Sequence, residues 1–434
     1  MKSSIWTKTA TASLFPTQVG DIKTDVLIVG GGMAGILCAY MLKKAGVNYV
    51  LAEANTVAGG ITKNTTAKIT LQHGLLYDRL IRTVGIENAR GYLDANRRAI
   101  AQYRDLCQVV PCDFEEQDSF VYSTHDRHAI EREIRALERL GCPATLATDL
   151  PLPFHTVGAV QIGGQAQFHP LKFLYGIAKD LNVLEHTKVL ELAPHYALTN
   201  RGKIHAKKII IATHFPILNK HGGYFLKLYQ HRSYVLALEN APNLKGMYVD
   251  EAQNGLSFRN YNGLLLLGGG SHRTGKKGGN WNELWSFAKR HYPGSREVSR
   301  FATQDCMSLD GIPYIGRYAK NTDDLYVATG FNKWGMTSSM VAASVLTDMV
   351  LGKTSPYESV FSPARSIWHK QLAINAGEAL LGLLTPTAPR CPHLGCALHW
   401  NPHEHSWDCS CHGSRFTGDG QLIDGPATDD KKRK

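Results

Sequence analysis

No apolar run in the chain approaches the length a helix needs to cross a bilayer, so a membrane span is not expected. Residues 1–16 lack the basic-then-apolar order of a secretory signal, and a cytoplasmic location is the expectation. No internal repeat and no low-complexity tract is present, which removes repeat architectures from consideration. The net charge of +11 is not gathered into a basic stripe interleaved with aromatics, so nucleic acid is not an expected partner. That charge leaves room for an acidic electron-carrier protein, and the basic run at 431–434 reads as a frayed tail. Cysteine is sparse outside one region. Of the nine, Cys38, Cys107, Cys112, Cys142 and Cys306 are scattered and read as unpaired thiols of a reducing compartment. The 434 residues, 43% of them hydrophobic, are enough for roughly two to three domains.

The remaining cysteines crowd into Cys391-Pro-His-Leu-Gly-Cys396 and Cys409-Ser-Cys411-His412. The pairs Cys391/His393 and Cys409/His412 stand fifteen residues apart. Two thiolates can hold one iron and two neutral imidazoles the other, the mixed ligation of a [2Fe–2S] centre. Zinc also takes Cys and His at short spacings, but zinc alone leaves the surplus Cys396 and Cys411 and the His412-Gly-Ser414 run without a reason. Cys396 and Cys411 stand where a disulfide can clamp the two cluster loops together. These stretches resemble the Rieske family, and Gly425-Pro426 resembles its third, proline-containing loop. The resemblance implies metal ligands Cys391, His393, Cys409 and His412, and the extra pair is similar to the respiratory type. It also implies a sulfide-bonding hydroxyl at Ser414, whereas Phe416 replaces the family's tyrosine, so a potential below the respiratory extreme is expected. His399, His403 and His405, between the pairs, read as loop surface.

A second cofactor signal opens the chain. The apolar run Asp25-Val-Leu-Ile-Val-Gly30 leads into Gly30-Gly-Gly32-Met33-Ala34-Gly35, a helical stretch to Ala45, and a second strand-like run ending at Glu53. Gly30 permits the tight turn, Gly32 lets a pyrophosphate reach the backbone, and Gly35 lets helix pack on strand. Helix amides then meet the phosphates and Glu53 accepts ribose hydroxyls, which points to FAD or NAD rather than NADP. No second fingerprint exists, since Gly268-Gly-Gly-Ser-His-Arg273 lacks the third glycine, and this argues against an NAD(P)H reductase.

The stretch Glu53-Ala54-Asn-Thr-Val-Ala-Gly59-Gly60, with Thr62, Thr65 and Thr66, resembles the ribose-to-isoalloxazine loop of D-amino-acid oxidase-like (glycine/sarcosine oxidase-type) flavoproteins. Leu-Asp310-Gly-Ile-Pro313-Tyr-Ile-Gly316, the strand ending at Gly330, and Lys207-Lys-Ile-Ile-Ile-Ala-Thr213 resemble later parts of the same family over roughly 24–352. Trp334-Gly335-Met336-Thr337 opens a helix to about Leu351 whose N-terminal amides suit the flavin's pyrimidine carbonyl. His73 follows the threonine-rich loop as a candidate for covalent flavin attachment, with a hydrogen-bonded structural histidine the more ordinary reading.

The implied fold is an α/β FAD-binding Rossmann-like domain (24–85, 150–215 and 305–352) interleaved with an α+β antiparallel-sheet substrate domain (86–149 and 216–304). A linker with a helix near 366–384 (353–390) and a small all-β Rieske-like segment (391–428) follow. Residues 86–108 and 127–140 read as amphipathic helices, 118–123 as a strand, and 161–167 as a Gly/Gln loop. Asn262-Gly263 between two strand-like runs signals a hairpin. Little chain stands between the linker helix and Cys391 and little follows Pro426, so either the flavin domain supplies the support for the cluster or the cluster is labile or lost.

Together the two parts resemble bacterial fusions of such a flavoprotein with a C-terminal Rieske domain. The resemblance implies FAD and a [2Fe–2S] cluster, a small amine or amino-acid substrate losing hydride to flavin, and electrons leaving through the cluster to an external acceptor. A plain flavin oxidase with a vestigial cluster segment and a non-enzymatic electron-transfer module are the competing readings. Catalytic candidates on the presumed flavin-facing elements are His231, Arg232, Tyr234, Lys333 and Trp334, with Arg232 able to pair a substrate carboxylate.

Overall fold

The structure, a computed structural model, describes residues 3–218, 221–386 and 389–431. The tail reading at 431–434 thus lies, beyond Lys431, outside the described residues, as does the middle of the break at 385–389.

The first sheet has the strand order Tyr314–Arg317, Leu325–Thr329, Gly202–Ile211, Ile22–Val29, Tyr49–Ala52, Val183–Leu184. Its central members pair in parallel, Val26–Val29 against both Tyr49–Ala52 and Lys208–Ile211. One face lies under helices and the other packs with Phe215, Tyr224 and Tyr318, so the inner parts of these strands are buried on both sides, which explains the apolar runs in the sequence. Helices Met33–Lys44 and Gly335–Val350 pack against each other on one face. Both carry small residues that allow the approach, among them Gly35, Ala39, Ala342 and Ala343.

The second sheet runs Arg296–Ser308, Leu228–Glu239, Leu264–Arg273, Ser257–Tyr261, Met247–Asp250, Glu115–Ser123, Gly158–Gln167, Lys68–Ile69. The hairpin at Asn262-Gly263 is present, with φ of 47° and 75° at the two turn residues, the left-handed pair that Asn-Gly supplies. The expected Gly/Gln loop at 161–167 is instead part of strand Gly158–Gln167. Its partner shifts register between Gln117 and Ser119, and Gly164 at φ 65° takes up the extra residue. A β-bulge at Gly163-Gly164 therefore looks like a loop in the sequence. The boundary placed at 304/305 falls inside strand Arg296–Ser308, which crosses from the sheet toward the cavity.

The C-terminal segment is an antiparallel meander, Leu398–Asn401, Ser406–Cys409, Arg415–Thr417, Leu422–Asp424, with Leu398, Phe416, Ala427 and the cysteines as its core. Helix Lys370–Leu384 precedes it.

Candidate functional site

The fingerprint turn is built as its residues require. Gly30 has φ 109°, and a Cβ there would stand 2.7 Å from the Ala212 carbonyl oxygen. A Cβ on Gly35 would meet the Gly30 carbonyl oxygen at 1.9 Å, so only glycine lets the helix start on the turn. Gly32, extended, caps the helix without a side chain, leaving open space beside Thr62. Glu53, at the end of strand Tyr49–Ala52, accepts from Gly31 N at 2.6 Å and Asn55 N at 2.8 Å. Burial pushes its carboxyl up, while those amides oppose the shift.

A cavity of about 1090 Å³ begins at this turn. Gly30, Gly32, Met33, Ala34, Glu53 and Ala54 line one end. Thr213 stands beside Gly30 at the same end, Gly60, Thr65 and Thr66 continue the wall, and Trp334, Gly335 and Met336 close another side. Gly35, Gly330 and Thr337 stand behind the wall. Gly330 turns the chain at φ 70°, and Thr337 donates to the Thr70 carbonyl at 3.1 Å. A cavity with a glycine turn opening one helix, an acid for a ribose beside it and the N-terminus of a second helix on its wall fits FAD.

His73 is on the wall as a hydrogen-bonded strut. Its Nδ1 meets the Tyr92 hydroxyl at 2.6 Å, its Nε2 meets Thr70 O at 2.8 Å and Thr337 Oγ1 at 3.0 Å, and Trp334 stacks on its ring at 4.9 Å. Burial lowers its pKa to about 3, so the ring is neutral and both nitrogens are engaged. This geometry supports the structural reading over covalent attachment.

The sheet side of the cavity holds a polar group of residues. Asn332 and Lys333 adopt left-handed backbone, with φ of 51° and 73°. The Asn332 side chain secures that loop by accepting from Ser308 N at 2.8 Å and donating to Gly330 O at 2.6 Å. Lys333 Nζ thereby donates to Ser271 Oγ at 2.7 Å and Gln253 O at 3.1 Å, and burial lowers its pKa. Asp305 also lines the cavity; burial raises its pKa to about 6, with Lys333 and Arg232 opposing. Lys68, bonded to Thr66 Oγ1 at 3.2 Å, is lowered to about 7 by burial and the nearby Arg259. Sequence reasoning missed both Asp305 and Lys68. Their neighbours Thr303-Gln304 and Thr65-Thr66 are polar, so no local signal set either charge apart.

Two catalytic candidates, Arg232 and His231, are off the cavity wall, while Tyr234 is on it. Strand Leu228–Glu239 runs between the cavity and the C-terminal segment, and its pairing shifts register between Arg232 and Tyr234. Tyr229, Gln230, Ser233 and Tyr234 all line the cavity, and Gln230, Arg232 and Tyr234 also bond to the C-terminal segment. Arg232 is 2% exposed and gives Nε to Glu404 Oε1 at 3.0 Å and Nη2 to Glu404 Oε2, so it is not open to a substrate carboxylate. The Tyr234 hydroxyl donates to the same Glu404 at 3.1 Å. His231 pairs opposite Asp305 across the sheet but is not on the cavity wall; its Nδ1 is buried without a hydrogen bond and burial lowers its pKa to about 3.

The cluster loops repeat one geometry. Gly395 N bonds Cys391 O, and Gly413 N bonds Cys409 O, each at 2.9 Å. The Cys391 sulfur accepts from the Cys409 thiol, from the backbone of His393 and Leu394 and from the Ser414 hydroxyl, and together these lower its pKa to about 7. The His393 and His412 rings stand 4.9 Å apart at 89°. His412 gives Nε2 to Phe225 O at 2.8 Å, while its Nδ1 is buried with no hydrogen-bond partner. Burial holds that ring neutral, with a pKa near about 4. A neutral imidazole oriented through one nitrogen with the other left over, beside two apposed thiols, is a metal-ligand arrangement. Cys396 and Cys411 form the expected disulfide. Their sulfurs lie within 4.8 Å of that of Cys409, but the S–S bond removes them from metal binding.

Support for the loops comes from the flavin part, as the short framework requires. Gln230 Nε2 donates to His412 O at 2.8 Å and Gly425 O at 3.0 Å; Gln304 Nε2 donates to Gly413 O at 2.9 Å. Arg273 holds Ser410 O and Cys411 O, both at 2.9 Å. His399, His403 and His405 are exposed, as expected.

A family model described as FAD dependent oxidoreductase matches residues 25–349, and a Rieske [2Fe-2S] domain model matches 361–432. The chain belongs to the FAD dependent oxidoreductase family and carries a Rieske domain after it; its cofactors are FAD and a [2Fe–2S] cluster. Over its length it is similar to YhfW of Bacillus subtilis (strain 168), a Rieske 2Fe-2S iron-sulfur protein by name. The two are 34% identical over 495 aligned positions, covering 97% of this chain and 95% of that protein. The cluster region is similar to the cytochrome b6-f complex iron-sulfur subunit of Chlorobaculum tepidum, 40% identical over 57 residues, 13% of this chain and 29% of that one. In fold the chain is similar to glycine oxidase from Geobacillus kaustophilus (TM-score 0.68, 19% identity, 80% of this chain and 99% of that chain). L-proline dehydrogenase from P. horikoshii gives a TM-score of 0.66 at 17% identity, over 81% of this chain and 98% of that chain. Among the described residues no helix is long and apolar enough to cross a membrane.

Proposed function

We propose that this flavoprotein oxidises the C–N bond of a small amine or amino acid in the cavity and passes the electrons through its cluster to an external acceptor. The observation that carries this reading is strand Leu228–Glu239, whose Tyr229, Gln230, Ser233 and Tyr234 line the cavity while Gln230, Arg232 and Tyr234 hold the C-terminal segment. Bound FAD supplies a two-electron hydride acceptor and the cluster a one-electron carrier. The protein's own share is positioning. Lys333, steadied by Ser271, offers a charge to a substrate carboxylate, and Asp305 offers one to the amine. An amine gives hydride only when deprotonated, and a carboxylate whose pKa is raised to about 6 can take that proton near neutral pH. The fold neighbours named for glycine oxidase, L-proline dehydrogenase and L-amino acid deaminase act on compounds of this class, which agrees with the reading.

The test is turnover of a panel of amines and α-amino acids, with oxygen or a one-electron dye as acceptor. Faster dye than oxygen turnover, with little peroxide, supports the proposal. Rapid stoichiometric peroxide would reduce the protein to an oxidase, and no flavin bleaching by any amine would remove the substrate class.

A further inference from the structure

Helix Lys370–Leu384 stands between the two cofactor parts and is fixed by its inner face alone. Its Asn375 accepts from Arg273 Nη1 at 2.9 Å and donates to Leu226 O at 3.3 Å. Gly382 lies so close to the disulfide that a Cβ would meet Cys411 Sγ at 2.7 Å, and its carbonyl accepts from Ala397 N at 2.9 Å. The outer face is apolar and open. Ile374 is 53% exposed, Leu380 58%, Leu381 61%, Leu383 50% and Leu384 71%, with Trp368 just ahead of the helix at 83%. After Lys370 the helix has one charged residue, Glu378, and that side chain is paired with Lys276 at 2.6 Å. A contiguous uncharged face of this kind marks a surface that is covered in use.

We propose that this helix docks the protein on an anionic lipid bilayer, lying in the interface with its leucines and Trp368 inserted. Charge selects this occupant. Lys370 opens the helix and Lys277 follows Lys276, whose own charge is paired with Glu378; both Lys277 and Lys370 are exposed, and the chain as a whole has net charge +11. Two copies meeting through this face would bring the same basic residues together, whereas anionic headgroups neutralise them. A transient contact with a soluble electron carrier is small and about as polar as ordinary surface, unlike a helix face of four leucines and an isoleucine. With no membrane-crossing helix among the described residues, the attachment is peripheral. Docking this way brings the cluster-side disulfide, directly under Gly382, to the lipid surface. The proposal concerns binding only and stands independently of which substrate enters the cavity.

The experiment is co-sedimentation of the cofactor-loaded full chain with vesicles of phosphatidylcholine alone or mixed with phosphatidylglycerol. The expected result is binding to the anionic vesicles and much weaker binding to the neutral ones. Leu380→Glu with Leu384→Glu should abolish it, and Lys277→Glu with Lys370→Glu should weaken it roughly tenfold or more. Leu190→Glu, on an exposed strand elsewhere, should leave it unchanged. Because a double glutamate can disturb folding, Ile374→Ser with Leu381→Ser serves as a milder pair, with flavin absorbance and circular dichroism as folding checks. Absence of binding to anionic vesicles, or equal binding by the leucine variants, overturns the proposal. So does sedimentation velocity showing a dimer that these substitutions dissolve, which would assign the face to a second copy.

Discussion

Glu404 joins the two cofactor parts at a single carboxylate. It is buried, takes Arg232 from the flavin side and Arg415 from its own segment, and accepts the Tyr234 hydroxyl. Burial alone would raise its pKa, but the two guanidiniums dominate and lower it from 4.5 to about 2. A depressed acid contributes stability above its unfolded pKa and loses it as pH falls through the folded one. Cluster retention should therefore weaken between pH 4.5 and about 2, followed as loss of iron on stepwise acidification. Glu404→Gln keeps the shape but leaves the buried Arg232 without its ion-pair partner, while Arg415 keeps Asp408 and Asp424, at a cost of about 3–5 kcal/mol. The expected outcome is iron lost on mild heating while flavin stays bound. On the cavity side, Lys333→Met should raise KM for a carboxylate-bearing substrate roughly ten- to hundredfold, the worth of about 1.5–3 kcal/mol for a hydrogen bond to a charged group. Asp305 is a carboxylate above pH about 6 and neutral below it. Amine oxidation should fall as pH drops through that value, and Asp305→Asn should flatten the profile in steady-state assays.

At the scale of elements, the strand Leu228–Glu239 does two tasks, lining the cavity and holding the C-terminal segment. Replacing Gln230 with Leu removes the donors to His412 O and Gly425 O. It should slow electron arrival at the cluster without changing the rate of flavin bleaching, as read by stopped-flow absorbance. Gly35→Ala forces a methyl against the Gly30 carbonyl oxygen and should yield protein lacking FAD. Much of this architecture was legible in the sequence where local chemistry has few solutions. A glycine turn between strand and helix, an Asn-Gly hairpin, and Cys/His loops each demand residues that little else explains. The direction a strand residue faces is not local, and this misplaced Arg232. Its role depends on a partner 172 residues away, and nothing near position 232 announces Glu404. Asp305 and Lys68 were hidden for the same reason, since their burial comes from remote packing. The bulge at Gly163-Gly164 imitates a loop because glycine serves both.

At the scale of the molecule, a short Rieske framework is stabilised by being built onto a flavoprotein rather than standing alone. Gln230, Gln304, Arg273 and Arg232 all reach across to it. The cluster is thus expected to copurify at about two irons per flavin, and a chain cut before residue 391 should keep flavin while losing the electron exit. The central claim is that electrons released in the cavity leave through the cluster. It is tested most directly by mixing the oxidised protein with an amine substrate without oxygen and freezing samples in time for EPR. The account predicts a Rieske-type signal growing after flavin bleaching begins, with no dithionite added. A flavin that bleaches fully while the cluster stays oxidised, and that gives its electrons up only when oxygen is admitted, would contradict it.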